Sequence, residues 1–306
     1  TVFLASLLPA RDAAAPVVAS VAYWAVALLF FLYGAKLDTS AVAAGMRNWR
    51  LQLVVFCCTF VIFPALGLGL SSLLSQWMQP EIALGLLFLS VLPSTVQSSI
   101  ALTSITSGNV PAAVCAASLS NLLGVVVTPV LAAILLHTSG GGINGAGVVS
   151  ICIQILLPFA IGQLLRRWVG RHKRLTAFVD RGSILLIVYS AFSAGVVAGV
   201  WQRVDGTTTG LMIVADLVLL AAIILIGLGI AKASGMPRGD RMVVLFCGST
   251  KSLATGVPIA NILFAGQPIS MIVLPLMLFH QIQLFVCALI AQRQARHLSL
   301  APATAT

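Results

Sequence analysis

The sequence predicts an all-α polytopic membrane protein with ten transmembrane helices, arranged as a 5+5 inverted repeat. Three observations support this fold class. The 306-residue chain is 59% hydrophobic and only 8% charged, whereas soluble domains carry about 25% charged residues. Its longer apolar runs reach the roughly 20 residues that a helix needs to cross a bilayer. Two polar runs interrupt these apolar segments at matching places in the two halves of the chain.

Apolar runs and the loop residues between them place the ten spans in chain order. The first span, at 1–10, stops near Pro9 and is expected to be a truncated helix, because the chain opens without methionine and no basic leader precedes it. The remaining spans are predicted at 17–37, 50–75, 81–107, 109–136, 147–166, 182–201, 207–231, 241–265 and 269–291. Residues 1–140 would form the first five-helix repeat and residues 141–306 the second.

The basic residues fall almost entirely on one side of this arrangement. Counting alternate connections, that side holds Lys36, Arg47, Arg50, Arg166, Arg167, Arg171, Lys173, Arg174, Arg181, Lys232, Arg238, Arg241, Arg293 and Arg296. The other side holds only Arg11 and Arg203, and Lys251 lies inside a span. Because an excess of Lys and Arg marks cytoplasmic loops, the basic side is predicted to be cytoplasmic, with both termini inside.

The composition argues against an enzyme, a metal centre and a nucleic-acid-binding protein. The chain has seven acidic residues, no Ser/His/Asp set, no phosphate-binding glycine loop and no metal-spaced histidines. Its six cysteines lie in apolar runs, as is typical of buried, reduced thiols. The net charge of +10 is assigned to loops that face lipid headgroups. We therefore expect no cofactor, apart from a coupling ion, and the lipid bilayer rather than nucleic acid as a partner.

The two polar interruptions indicate transport. They are Pro93–Ser99 in span 4 and Lys251–Val257, followed by Pro258, in span 9. Irregular backbone at membrane depth is tolerated only where it is buried in protein or lines a cavity. Paired interruptions in two halves are the best sequence indication of a transporter's binding site. Since five spans per half is an odd number, the second half would enter the membrane in the opposite orientation.

Polar side chains in and near the two interruptions are the candidate binding residues. For substrate or ion binding these are Ser94, Thr95, Gln97, Ser98, Ser99, Thr103, Ser118, Asn121, Thr250, Lys251, Ser252, Thr255, Asn261, His280 and Gln281. His280 and Gln283 share a helix face. Since histidine titrates near neutrality, His280 could serve proton coupling or form an interhelical hydrogen bond. Helix amino ends in the breaks, together with Lys251, favour an anionic substrate.

Lys251 is the least expected residue of span 9. A charge at a helix centre costs about 2.5–3.5 kcal/mol, so its ammonium needs a partner. One hypothesis is that it pairs with free carbonyls of the breaks and so replaces a coupling ion, or that it meets an anionic substrate. The alternative is a static pair with Asp216, the only acidic residue well inside a predicted span.

Several motifs together resemble one transporter family. They are Phe246–Pro258, Phe264–Gly266, Phe279–Gln281, Ser98-Ser99 with Thr103 and Gly108-Asn109, Val127–Pro129, and Leu157-Pro158 leading to Ile161–Gln163 and Arg166-Arg167. This pattern resembles the bile acid:sodium symporter superfamily (solute carrier family 10-like), especially its cotransporter 7-type branch and bacterial relatives. The resemblance implies a panel domain (spans 1, 2, 6 and 7) and a core domain (spans 3–5 and 8–10). It also implies that broken spans 4 and 9 cross near the midplane of the membrane.

The resemblance further implies sodium ions behind the crossing, an organic anion in the cleft between the domains, and a bacterial inner membrane location. Members of the family coordinate sodium with a glutamate in span 9, but Gly248–Lys251 contains no carboxylate, and Ala113 and Ala117 stand where hydroxyls are expected. The predicted function is secondary active transport, by symport, of a small organic anion with Na⁺ or H⁺ as the coupling ion. The alternative is a non-transporting membrane regulator, for instance of calcium handling.

Overall fold

The computed structural model describes residues 2–12, 14–36, 48–137, 145–169, 173–197, 199 and 205–300, and all regular elements in these ranges are helical. In chain order they are α1 (Val2–Leu7), α2 (Ala14–Lys36), α3 (Trp49–Leu74), α4a (Pro80–Ser90), α4b (Gln97–Ile105), α5 (Val110–His137), α6 (Gly145–Leu164), α7 (Lys173–Val197), α8 (Gly206–Ala233), α9a (Arg238–Ser249), α9b (Leu253–Leu263) and α10 (Ile269–Leu300). A short helical turn, Arg166–Val169, follows α6. Of the basic residues counted above, Arg47, Arg171 and Arg203 lie outside the described residues.

Within the described ranges, seven helices are long and apolar enough to cross a membrane. They are α2, α3, α5, α7, α8, the two halves of α9 taken together, and α10. The helix α4a and the second half of α6 are shorter apolar helices. The protein is therefore an integral membrane protein. The helix α7 begins at Lys173 rather than at the predicted 182, because its first turns are helical but polar, and apolarity detects only the membrane-spanning part of a helix.

Helices α2, α6 and α7 pack together closely through glycines. Helix α2 makes its most extensive contacts with α6 and α7, and α1 packs on α7. Gly34 of α2 faces the backbone carbonyl of Phe159 in α6, and Gly162 of α6 faces the carbonyl of Phe31 in α2. A Cβ atom at either glycine would overlap the facing carbonyl. Small residues of this kind let helix backbones approach each other in a membrane.

The other helices surround two breaks. Helix α4a packs against α3 and α10, and α8 packs against α9a. Helix α4 is interrupted between Ser90 and Gln97, and helix α9 between Ser249 and Leu253. A π-helical segment, Cys58–Ile62, lies within α3. Such segments shift the hydrogen-bond register of a helix and are frequent at functional sites.

Pro258 lies inside α9b and does not mark the break, which is shorter than the predicted polar run. The helix resumes early because the side chain of Ser252 caps it, accepting a hydrogen bond from the Thr255 amide at 3.3 Å. Proline has no N–H, so Pro258 leaves the carbonyl of Ala254 without its helical partner. The hydroxyl of Tyr33 in α2 donates to that carbonyl at 3.4 Å. The proline thus provides a contact between α2 and α9b.

Asp240, in the first turn of α9a, joins three parts of the fold. Its carboxylate accepts hydrogen bonds from the side-chain amides of Asn48 at 2.9 Å and Asn109 at 2.7 Å. Asn48 precedes α3, and Asn109 lies between α4b and α5. A carboxylate is also favoured at a helix amino end by the helix dipole. Asp240 therefore ties together the ends of these helices on the basic side.

We expect Asp240→Ala to destabilise the protein. The substitution leaves two side-chain amides without their acceptor, and hydrogen bonds to charged groups contribute about 1.5–3 kcal/mol each. The midpoint of thermal unfolding in detergent should fall clearly. Glu81→Ala is the matched control, because Glu81 also lies in the first turn of a helix but is only partly buried, whereas Asp240 is buried. An equal midpoint for both variants would contradict the proposed tie.

Candidate functional site

The breaks of α4 and α9 lie against each other. The Ser252 amide donates to the carbonyl of Pro93 at 2.9 Å, and the hydroxyls of Ser94 and Thr250 are 3.1 Å apart. Both Ser94 and Thr250 are buried. The irregular backbone at this depth is therefore covered by protein rather than exposed to lipid.

Lys251 holds the two breaks together from the inside. Its side chain has no exposed surface, and its Nζ donates to the carbonyls of Thr59, Ser90 and Leu92 at 2.9, 2.7 and 2.7 Å. The Phe63 ring centroid lies 4.0 Å from Nζ. Three donors match an ammonium group, whereas a neutral amine has only two N–H bonds. The geometry thus fits a charged lysine surrounded by neutral oxygens and one aromatic face.

The local backbone leaves these three carbonyls free for Lys251. In an α-helix the Thr59 carbonyl would bond to the amide of Phe63, but in the π segment that amide donates to Cys58 instead. The next residue, Pro64, has no N–H to offer. The Ser90 carbonyl loses its helical partner because the Ser94 amide donates to the Ser120 hydroxyl at 3.0 Å. Leu92 lies in the break itself.

The remaining carbonyls of the α4 break are also paired. Thr128 Oγ1 donates to the Val91 carbonyl at 2.8 Å, and the Asn121 side-chain amide donates to the Ser94 carbonyl at 2.8 Å. Together with Lys251 and the Ser252 amide, these donors satisfy the carbonyls of residues 90–94. The break is therefore a fully bonded structure in which Lys251 supplies two of the five bonds.

Lys251 does not pair with Asp216. The carboxylate of Asp216 in α8 is buried and has no hydrogen-bond partner among the described residues. Lys251 already uses its donors on carbonyls. Of the two hypotheses drawn from the sequence, the contacts follow the one in which the lysine meets carbonyls of the breaks.

A cluster of hydroxyls lies beside the crossing of the two breaks. Thr250 Oγ1 is 2.9 Å from Ser99 Oγ and 3.1 Å from Thr95 Oγ1, and Ser98 Oγ donates to Thr95 Oγ1 at 2.6 Å. Thr250 also donates to the Phe246 carbonyl at 2.8 Å. These neutral oxygens are bonded to one another. The cluster extends from the protein interior to the surface of a cavity.

That cavity, which we call the site cavity, has a volume of about 540 Å³ and lies between α2 and α7 on one side and α4b, α5, α9b and α10 on the other. Its lining comprises Tyr33, Lys36, Thr95, Val96, Gln97, Ser98, Asn121, Asp180, Arg181, Ile184, Ser252, Leu253, Ala254, Thr255, His280 and Leu284. The amino ends of α4b and α9b both lie on it. Amino ends of helices carry free N–H groups and partial positive charge, so they favour anions.

The charged side chains of the site cavity leave a net positive charge. Lys36 and Asp180 form a salt bridge of 2.6 Å. Arg181 also lines the cavity and has no ion pair within the described part of the chain. An anion in this cavity would therefore meet one uncompensated guanidinium as well as two helix amino ends.

His280 and Gln283 connect the site cavity to the α9 break. The buried Gln283 side chain accepts from the Lys251 amide at 2.7 Å and donates to the Lys251 carbonyl at 2.8 Å. Its amide nitrogen is also 2.9 Å from His280 Nδ1. His280 lines the cavity. His280, which is in contact with the cavity, thus bonds to Gln283, which in turn bonds to both the amide and the carbonyl of Lys251.

A second cavity, of about 490 Å³, lies between the same groups of helices towards the other side of the molecule. Its lining includes Tyr23 and Val26 of α2, Ser190 of α7, and Asn261 and Ser270 near the ends of α9b and α10. Between the parts of α2 that line the two cavities lie Leu29 and Phe30, neither of which has exposed surface. Ile187 occupies the equivalent place in α7 and is also fully buried.

The structure distributes the predicted site residues over several environments. Seven line the site cavity: Thr95, Gln97, Ser98, Asn121, Ser252, Thr255 and His280. Ser94, Ser99, Thr250 and Lys251 are buried behind it. Thr103 bonds to the Ser99 carbonyl within α4b, Asn261 lines the second cavity, and Ser118 and Gln281 line neither.

Four contributors were absent from the predicted site: Tyr33, Thr59, Arg181 and Gln283. Pro64 in an apolar span was a usable signal for a free carbonyl near Thr59, and Gln283 shares a helix face with His280. Nothing in the sequence indicated that Tyr33 or Arg181 would face the breaks, because that depends on how α2 and α7 pack against the other helices.

The residues around the breaks do not fit a sodium ion. The position between the breaks is filled by the Lys251 ammonium, and the adjacent hydroxyls are bonded to one another. Proteins bind hard cations through oxygen ligands that usually include carboxylates. Among the described residues no three His, Cys, Asp or Glu side chains form a group able to hold a metal.

The chain matches known proteins along nearly its whole length. The model of the SBF-like CPA transporter family matches residues 1–296. Protein PA2026 of Pseudomonas aeruginosa, which is named as uncharacterized, is 52% identical over 301 residues, covering 97% of this chain and 90% of that protein. YfeH of Escherichia coli, whose name assigns it provisionally to the symporters, is 46% identical over 303 residues, covering 96% and 90%. Sodium/bile acid cotransporter 7 of Mus musculus is 29% identical over 281 residues, covering 87% and 81%.

Proposed function

Because the chain belongs to the SBF-like CPA transporter family, we propose that it is a secondary active transporter of a small organic anion. The observation that carries this proposal is the site cavity, in which two helix amino ends and Arg181 face the same space. Arg181 has no ion pair among the residues that the structure describes. The cavity's volume of about 540 Å³ lies within the range of about 300–1,000 Å³ for small-molecule sites. A transporter of small anions needs these properties, whereas a regulator without a substrate does not.

The proposed architecture is a 5+5 inverted repeat of residues 1–140 and 141–306. The panel domain would consist of α1, α2, α6 and α7, and the core domain of α3–α5 and α8–α10. The close packing of α2 with α6 and α7 supports this division, as does the position of both breaks within the other group. With the basic side in the cytoplasm, both termini would lie inside, in a bacterial inner membrane.

In this proposal the two cavities are the two ends of one transport route. The site cavity would open to the cytoplasm and the second cavity to the other side, with Leu29, Phe30 and Ile187 between them. Rocking of the panel domain against the core domain would open one cavity as it closes the other, around the crossing that Lys251 holds together. Inverted repeats with central broken helices commonly work in this way.

Lys251 would take the place of a bound sodium ion in this mechanism. The ammonium occupies an oxygen-lined place between the breaks and supplies the positive charge that a bound cation would otherwise bring. Because the charge is covalently attached, it stays in place through the transport cycle. We therefore propose that sodium is not needed to hold the crossing together.

Uptake into proteoliposomes tests the proposed function. Purified protein would be offered succinate, benzoate, cyclohexanesulfonate and taurocholate, with protein-free liposomes as the control. We expect at least one of these anions to accumulate above the control. If none of the four anions enters, although the protein is shown to be folded, the result would favour a non-transporting membrane regulator.

Arg181→Gln should weaken substrate binding. The substitution removes the uncompensated positive charge of the site cavity but keeps polar atoms that can donate hydrogen bonds. We expect the KM for the transported anion to rise about tenfold, because a charge-assisted hydrogen bond contributes about 1.5–3 kcal/mol. Lys232→Gln is the control, since Lys232 is exposed at the end of α8 on the same side. Equal KM values for the two variants would contradict a role of Arg181 in binding the anion.

A further inference from the structure

The direction of the hydrogen bonds at Gln283 defines the state of His280. A backbone N–H can only donate, so the carboxamide oxygen of Gln283 must face the Lys251 amide. Its NH₂ group then donates to the Lys251 carbonyl and to His280 Nδ1. His280 Nδ1 is therefore the acceptor and carries no hydrogen. The observed geometry requires a neutral imidazole with its hydrogen on Nε2.

A proton on His280 Nδ1 is incompatible with this arrangement. The new N–H would face the NH₂ group of Gln283, so two donors would meet at 2.9 Å. Rotation of the carboxamide by half a turn restores an acceptor for His280. The same rotation places NH₂ against the Lys251 amide and removes the donor from the Lys251 carbonyl. One proton on His280 thus breaks both bonds between Gln283 and the α9 break.

We propose that His280 is the proton-coupling residue of this protein, and that its protonation from the site cavity releases Gln283 from Lys251 and loosens the α9 break. This inference rests on the proposed transport function and names its coupling ion. In the proton step, a hydronium ion in the cavity gives its proton to Nδ1 and leaves a water molecule. The imidazole becomes imidazolium, and the proton leaves again from the same nitrogen.

His280 is placed so that its protonation would affect the part of the cavity that binds the anion. Ser252 and Thr255, at the amino end of α9b, line the same cavity as His280. The freed Lys251 peptide is directly adjacent to Ser252. Movement of this peptide would change the helix amino end that faces the anion, and an imidazolium would add positive charge to the cavity. Proton and anion would therefore favour each other's binding and move in the same direction.

Few other titratable or charged groups lie around His280. Those on the cavity wall are Tyr33 and Lys36 of α2 and Asp180 and Arg181 of α7. Lys36 and Asp180 compensate each other, and Tyr33 donates to the Ala254 carbonyl. On the remaining helices packed against α10, Lys251 is buried behind Gln283, while Asp216 of α8 and Glu81 of α4a do not line the cavity. The lining side chains of α4b, α5 and α9b are uncharged. His280 lines the cavity and is linked to the break through Gln283.

Hydrogen exchange of the α9 break tests the switch without any substrate. Deuterium uptake of the peptide around Lys251 would be compared at about pH 8 and about pH 4.5, well on either side of the ordinary histidine pKa, after correction for intrinsic exchange. We expect exchange about five- to tenfold faster at the lower pH, as the loss of a typical hydrogen bond predicts. Equal corrected rates at both pH values would overturn the proposal.

Two substitutions of His280 separate a proton switch from a merely structural contact. In His280→Asn, the side-chain oxygen can accept from Gln283 but cannot be protonated, so exchange should be slow at both pH values. In His280→Lys, the side chain can only donate, so exchange should be fast at both. His137→Asn, at the end of α5, should behave as the unmodified protein. Retention of the pH effect in His280→Asn would overturn the proposal.

Uptake driven by a proton gradient tests the coupling itself. An inward proton gradient should accelerate accumulation of the transported anion in the unmodified protein but not in His280→Asn. Gradient-driven uptake that persists in His280→Asn would overturn the coupling role while leaving the transport function intact. If none of the four anions enters the liposomes but the exchange results are as expected, the proposed transport function fails. The proposal that the α9 break responds to protonation of His280 is then still supported. The two failures are therefore distinguishable.

Discussion

Lys251→Met should reduce uptake of the transported anion to the level of empty liposomes. Methionine fills a similar volume but donates no hydrogen bond, so the carbonyls of Thr59, Ser90 and Leu92 lose their donor. Each buried polar group left unpaired costs about 1–3 kcal/mol. The lost hydrogen bonds are those that join the two breaks, and these breaks position the helix amino ends of the site cavity. Uptake and the midpoint of thermal unfolding are the measurements.

Two further variants make this result specific. Lys232→Met removes an exposed lysine from the end of α8 and should leave both uptake and unfolding unchanged. Lys251→Arg keeps the charge, but its planar guanidinium cannot direct donors as the ammonium does, so partial activity at most is expected. Normal uptake by Lys251→Met would contradict the role of the lysine in the crossing.

Gly162→Ala should destabilise the protein and slow transport. The added Cβ would overlap the backbone carbonyl of Phe31, and backbone cannot move aside as a flexible side chain can. Overpacking of this kind costs about 1–3 kcal/mol. Helix α2 would be pushed away from α6, and α2 also carries Tyr33 and Lys36 of the site cavity. Thermal unfolding in detergent and uptake in liposomes measure the two effects.

Gly210→Ala is the matched control for this glycine. Gly210 also lies inside a helix, α8, but a Cβ there would meet no atom within 4 Å. Since alanine is favoured over glycine in a helix by about 0.5–1 kcal/mol, this variant should be as stable as the unmodified protein or more stable. The two substitutions are thus expected to act in opposite directions. Destabilisation of equal size at both positions would contradict the close approach of α2 and α6.

The transmembrane segments could be predicted because apolarity and loop residues are local properties of the chain. Helices α2, α3, α5 and α8 lie close to their predicted bounds. The polar turns at the start of α7 escaped the prediction because they are helical without being apolar. The position of Pro258 inside α9b could not be read from the sequence, since a proline normally signals the end or a kink of a helix. Its effect is offset by Tyr33, which is distant in the chain.

The candidate site was only partly predictable. Polar residues near the breaks were recognised because polar side chains inside apolar spans are rare, and seven of them line the site cavity. That Lys251 bonds to carbonyls rather than to Asp216 depends on the π segment of α3 and on Pro64, which free the Thr59 carbonyl. The contribution of Arg181 depends on the packing of α7 against helices far away in sequence. Interactions of this kind become visible only in three dimensions.

The sodium dependence of thermal unfolding tests the central claim, that the Lys251 ammonium takes the place of a bound sodium ion, most directly. Unfolding of the purified, unmodified protein would be followed in sodium chloride and in N-methyl-D-glucamine chloride at equal ionic strength. A ligand that binds only the folded state raises apparent stability by mass action. We predict equal unfolding midpoints in the two salts. A higher midpoint that requires sodium, and grows with its concentration, would contradict the claim.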